Sequence, residues 1–315
     1  MTVLRLVDTE LRRFARRRAV RWLVLLCMAL AFAINVTQLV RSSETTSYRR
    51  TDLPALPDSC RAGERDGLPV VDQSCLDGQG GFFSFAPEPG RPVAVLLAQH
   101  SDRRVRVGRT FEDTVAGMGV ALGLLGILLG STFLAAEYGA AGFGTQLLFE
   151  PRRWLLYAAK VAAVAIGCAL VAVLLVTWTG LGQLLASALR GSTAGVDAGW
   201  LADRAADTAR VASACALAAV CALAVGALAR RTVVAVGIFF GLVIATGFLI
   251  NTSWGRPLGR NSPMNAIFAV GSGDFGNADT WGGLATLAGA LLVAAAWALG
   301  LSLLAGWWVS RAEIR

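Results

Sequence analysis

The chain is nearly without histidine and lysine: His100 and Lys160 each stand alone of their kind. One histidine cannot assemble a His/Cys metal cluster of the usual ligand number, so no zinc site is expected. A P-loop needs Gly-Lys-Ser/Thr, and the sole lysine stands in Ala159-Lys160-Val161, so the chain has no ATP-binding motif of its own. Neither a Gly-x-Ser-x-Gly elbow nor a His-Glu-x-x-His pair occurs, which argues against the common membrane hydrolases. Charge is scarce as well, at 16% of residues, and none falls in the middle of a long apolar run. Ionisable groups at mid-bilayer are the usual machinery of proton- and ion-coupled transport, so their absence disfavours a secondary transporter.

What the chain has instead is apolar length. With 55% hydrophobic residues and a mean hydropathy of +0.58, its 315 residues lie outside the soluble globular range and read as a polytopic membrane protein. The net charge of +8 does not call for nucleic acid, because the arginines cluster at the ends of apolar runs, where positive-inside topology and membrane lipid account for them.

Read in order, residues 1–18 form a basic amphipathic helix with Leu4, Val7, Leu11 and Phe14 at helical spacing, suited to an anionic cytoplasmic leaflet. The first span follows within 19–40. Its basic flank and Ala29-Leu30-Ala31 resemble a signal peptide, but the apolar run exceeds the ~7–15 residues of a typical h-region, so an uncleaved helix is expected. Residues 41–112 form a polar external subdomain, with short strands expected at Pro92–Leu97 and Arg104–Val107. Five further spans occupy 113–315. The second contains Gly119-x-x-x-Gly123 and Gly126-x-x-x-Gly130, which permit close helix approach. The third runs from about Leu155 to Leu185, an external loop covers 187–209, the fourth ends at Arg230-Arg231, and the fifth is Thr232–Ile250. Segment 251–281 includes Pro263–Val270, too short to cross the bilayer but apolar enough to dip into it, and the sixth span is Gly282–Val309. The arginine clusters before the first span and at Arg152, Arg153, Arg230, Arg231, Arg311 and Arg315 then place both termini in the cytoplasm. The expected fold is an all-α membrane protein of six transmembrane helices plus a small external subdomain.

The connector between the second and third spans has the most specific residue order. Glu137 ends one span, a glycine-rich turn leads to Gly144-Thr145, Leu147-Leu148 follow, and Pro151 with Arg153 opens the next helix before Lys160. This pattern resembles the permease subunits of type 2 ABC exporters, also called type V ABC transporters, although Gly139-Ala140-Ala141 is looser than the usual form. The resemblance implies that 137–153 is a coupling segment docking on an ATPase, through Glu137, Gly144, Thr145, Leu147, Leu148, Pro151, Arg153 and Lys160. It implies a dimer of permeases, identical or homologous, with two ATPase subunits that bind the ATP and Mg this chain does not bind itself. It also implies short re-entrant helices at 251–281, and outward movement of drugs, antibiotics, lipids or polysaccharides between the second and fifth spans, in a bacterial inner membrane. The large first external loop departs from the common form. A non-transport scaffold or receptor with a ligand-binding external domain is the alternative.

A path lined by those two spans would offer Thr132, Phe133, Phe239, Phe240, Thr246 and Phe248, an aromatic surface with a few hydroxyls and no counter-charge. Such a surface suits a hydrophobic or amphiphilic compound. Of the six cysteines, Cys60 and Cys75 alone lie outside apolar spans, flanking a turn-rich segment in the external loop. In an oxidising exterior they are expected to form a disulfide, and closing a loop of about 15 residues should add ~3 kcal/mol to the subdomain. Thiol counting on the denatured, unreduced chain should find both blocked; two free thiols there would exclude the bridge.

Overall fold

The computed structural model describes residues 3–41, 61–65, 68–71, 105–139, 152–192, 196–275 and 284–311. Its helices are α1 (Val3–Arg16), α2 (Arg18–Arg41), α3 (Val107–Gly139), α4 (Arg153–Arg190), α5 (Ala198–Ala229), α6 (Thr232–Ile250), α7 (Arg256–Arg260), α8 (Pro263–Ser272) and α9 (Leu287–Arg311). Six of these, α2 to α6 and α9, are long and apolar enough to cross a membrane. Short strands β1 (Arg61–Arg65) and β2 (Leu68–Val71) pair antiparallel, and β3 (Val105–Arg106) pairs parallel with β4 (Gly191–Ser192). One compact unit comprises Met1–Ala33, Gly108–Gly182 and Gly195–Arg315; a second comprises Ile34–Val107 and Gln183–Ala194.

Within the first unit, α5 is the helix around which the others pack. Its most apolar window is 78% buried, against 17% for α6 and for α9. The reason is in its sequence: from Val211 to Ala229 it is dominated by alanine with two cysteines, small on every side, so neighbouring backbones can come close. Close approach matters in a bilayer, where lipid tails are as apolar as leucine and van der Waals fit has to hold helices together. The glycines of α3 complete that fit. A Cβ at Gly130 would collide with the Ala219 carbonyl of α5, one at Gly126 would lie 2.5 Å from the Cys215 carbonyl, and one at Gly119 would collide with the Gly271 carbonyl of α8.

Several boundaries differ from those expected. Helix α3 begins at Val107 rather than near 113, and its early turns bury Phe111 and Val115 in the core. Much of the expected loop 187–209 is helical, because Asp197 caps α5 by accepting a 2.7 Å hydrogen bond from the Trp200 amide. The charged residues that read as loop are paired along α5: Arg204 and Arg210 each contact Asp207, at 3.1 and 3.2 Å. The hairpin β1–β2 has no counterpart in the sequence reading. It lies inside the loop that a Cys60–Cys75 bridge would close, while both cysteines and the expected strand Pro92–Leu97 lie outside the described residues.

The two-residue turn between α5 and α6 is built on arginines. Arg230 caps α5 in the left-handed region (φ 54°), its amide donating to the Gly226 carbonyl at 3.0 Å. Segment 251–281 begins with the short helices α7 and α8, and nine of the ten residues of α8 are buried.

Gly119→Ala should force α3 and α8 apart and lower stability by about 1–3 kcal/mol, the usual cost of overpacking. Gly117→Ala, with nothing within 4 Å of its added methyl, is the matched control. Thermal unfolding of the purified chain in detergent should separate the two; equal melting points would refute the close packing.

Candidate functional site

The connector itself, from 140 to 151, lies outside the described residues, and with it Gly144, Thr145, Leu147, Leu148 and Pro151. Its two anchors are described. Glu137 belongs to the last turn of α3, and Arg153 is the first residue of α4. Two turns into α4, Lys160 is completely buried, with its Nζ 2.9 Å from Oε2 of Glu10 on α1. The other Glu10 oxygen accepts from Arg13 at 2.8 Å.

This pair corrects the reading of α1. The buried stripe is Leu6, Glu10 and Phe14, spaced i, i+4, i+8, whereas Leu4 is 82% exposed. Phe14 fills the space left by Gly167 on α4 and meets Phe133 of α3 at 5.7 Å between ring centroids. Arg17 lies 4.2 Å over the same Phe133 ring and donates a 3.2 Å hydrogen bond to the Thr132 carbonyl. Helix α1 is thus pinned to the end of α3 that leads into the connector and the start of α4 that leaves it. A surface helix held only by lipid would need no glycine vacancy and no buried carboxylate.

The six residues expected along a path are not brought together. Thr132 satisfies its hydroxyl within α3, at 2.9 Å from the Leu128 carbonyl. Phe133 is buried under α1, at 1% exposure. Phe239 packs in a separate cluster with Met264 and Ile267 of α8, and Thr246 donates a 3.0 Å hydrogen bond to Ser262 at the start of α8. Only Phe240 and Phe248 are open, at 69% and 66% exposed, on one face of α6 with Ile244.

Helix α8 is held at both ends by side chains of crossing helices. Ser262 is its N-cap, accepting from the Asn265 amide at 3.2 Å, and Pro263 follows as its first residue. At the other end Arg210 of α5 donates from one nitrogen to the carbonyls of Val270 and Gly271, at 2.9 and 2.8 Å. Gly273 ends the helix at φ 78°, and the Arg210 guanidinium packs where a Cβ would be. The linker from α7 is tied down by Trp297 of α9, whose indole donates to the Asn261 carbonyl at 2.8 Å.

Sequence reasoning missed Glu10, Arg17 and Arg210. A visible signal existed for Glu10, the one acid on an apolar stripe with leucine four residues before and phenylalanine four after. Among the described residues no three His, Cys, Asp or Glu side chains group to hold a metal ion. No family model and no curated protein matches this chain.

Removing one member of a buried ion pair strands the other, at a cost of about 3–5 kcal/mol, whereas an apolar pair of similar volume can be neutral. Glu10→Ala should therefore destabilise the chain strongly, and Glu10→Leu with Lys160→Met should recover most of the loss. A double-mutant cycle on thermal unfolding gives the coupling; simple additivity would mean that the two side chains do not interact.

Proposed function

We propose that this chain is the membrane-spanning permease subunit of an ATP-driven exporter of the type 2 ABC class, moving a hydrophobic or amphiphilic compound out of a bacterial cell across its inner membrane. Both termini and the connector then face the cytoplasm, and residues 41–112 face outward. Two ATPase subunits supply the ATP and Mg chemistry, and a second permease, identical or homologous, completes the path.

The observation that carries this reading is the residue order of the connector, from Glu137 through Gly144-Thr145, Leu147-Leu148, Pro151 and Arg153 to Lys160, set between two apolar helices in a chain without a nucleotide-binding motif. Two features of the fold support it. Helix α1 is fastened to both helices that bracket the connector, so a load applied there passes into α1, α3 and α4 together. The apolar face of α6 bearing Phe240, Ile244 and Phe248 remains uncovered within one chain, as a surface shared with lipid, cargo or a second permease would be. A cargo path is therefore better assigned to Phe240 and Phe248 than to Phe239 and Thr246, which support α8.

Leu147→Asp with Leu148→Asp should place uncompensated charge in the ATPase contact and uncouple the partner while leaving membrane insertion intact. Co-purification with an ATPase encoded beside this gene, and cargo-stimulated ATP hydrolysis in proteoliposomes, should both fall to background. Phe240→Ala should weaken stimulation by lipophilic compounds without disturbing co-purification. An unchanged double-aspartate complex would remove the connector as the docking element; stimulation by a hydrophilic glycan alone, untouched by Phe240→Ala, would remove the cargo assignment.

A further inference from the structure

One polar cavity stands apart from the connector. It has a volume of about 450 Å³ and is lined by Ala116 of α3, Arg204, Asp207 and Arg210 of α5, and Ser272, Gly273 and Phe275 at the end of α8. We propose that it is a binding site for the phosphate of an anionic lipid headgroup.

Depth comes first. No charged residue occurs between Arg210 and Arg230, and at ~1.5 Å per residue that stretch of α5 matches the ~30 Å of a hydrocarbon core. Arg230 therefore marks one membrane interface and Arg210 the other, whichever way the chain is oriented. The cavity lies at headgroup level.

Charge and shape come next. The side chains of Arg204 and Arg210 are only 13% and 11% exposed, and both contact the single carboxylate of Asp207. The lining thus carries two guanidiniums against one acid, an excess of one positive charge. Asp203 and Asp274 neighbour lining residues in sequence but do not line the cavity. Arg210 is committed on one nitrogen to the α8 carbonyls, which fixes it in place. Arg204 is held differently, between the rings of Phe111 and Trp200 at 5.6 and 5.8 Å, so its plane is set by packing. A rigid planar fork recognises phosphate oxygens better than a mobile cation does. The volume falls in the range of small-ligand pockets and suits a glycerophosphate group, and basic pockets between membrane helices are the usual seat of such headgroups. Interfacial Trp200 and Phe275 offer apolar surface to the first methylenes of the lipid. The site does not depend on the chain being an exporter, so either assignment can fail without the other.

The test uses the full chain in uncharged detergent, with phosphatidylglycerol, phosphatidylcholine and inorganic phosphate as probes and native mass spectrometry counting retained lipid. Wild type should retain phosphatidylglycerol over phosphatidylcholine. Arg204→Gln should reduce that retention about tenfold, as loss of a charge-assisted contact predicts. Arg204→Lys should restore part of it, and Arg260→Gln, an exposed arginine elsewhere on the chain, should leave it unchanged. Because a variant of a half-buried arginine can misfold, Ala116→Leu provides a second route: it narrows the cavity without altering charge and should also lower retention. Retention that inorganic phosphate does not displace supports the lipid source; displacement by millimolar phosphate would reassign the site to a soluble anion. Equal retention by wild type, Arg204→Gln and Ala116→Leu would overturn the site.

Discussion

A helix that enters a membrane bundle without crossing it must end where there is no water to receive its backbone. Helix α8, ten residues long, meets this constraint, and much of the first compact unit is arranged around it. Thr246 and Ser262 serve its first turn, Arg210 serves its last carbonyls, and Trp297 secures the linker before it. Those groups come from α6, α5 and α9, so each of these crossing helices has a fixed rotation as well as a fixed depth. The backbone of α3 touches that of α8 through a pair of glycines, Gly119 and Gly271, and no side chain could stand between them. Exposing α8 to lipid would leave its ends unsatisfied, so its burial and the packing of its neighbours are one requirement.

The Lys160–Glu10 pair works by a different balance. Two charges taken out of water gain little net stability even when they meet at 2.9 Å, and a leucine in each place would hold α1 about as well. What the pair adds is register. Shifting α1 by a turn would leave two buried charges without partners, whereas sliding a greasy helix along a greasy groove costs little. Phe14 in the Gly167 vacancy and Arg17 over Phe133 repeat the same constraint with shape and with a cation over a ring.

The sequence makes some of this legible and hides the rest for physical reasons. Six crossing helices are written in long charge-free runs, and the dipping segment in an apolar stretch too short to span. Close packing of α3 is visible in its spaced glycines. The start of α5 is not, since Asp203, Arg204, Asp207 and Arg210 look like a loop unless one notices Asp197 as a cap and the three-residue spacing of their ion pairs. Glu10 and Lys160 are 150 residues apart, and no local pattern announces such a partnership. Adjacent residues Phe239 and Phe240 have opposite fates, one in the core and one open. An all-apolar helix has no polar side to reveal which way it is turned, so no periodicity distinguishes them.

Arg230 adopts a left-handed conformation that costs an L-residue roughly 1–2 kcal/mol and that glycine would take freely. Helices α5 and α6 meet across this turn with almost no slack, so they enter a membrane as one hairpin rather than as two independent segments. The steering information for that hairpin has to lie at its tip, since nothing else between Arg210 and Arg256 is charged. Strain at Arg230 is then a record of biogenesis: the tip retains two arginines where the finished structure alone would be content with Gly-Arg.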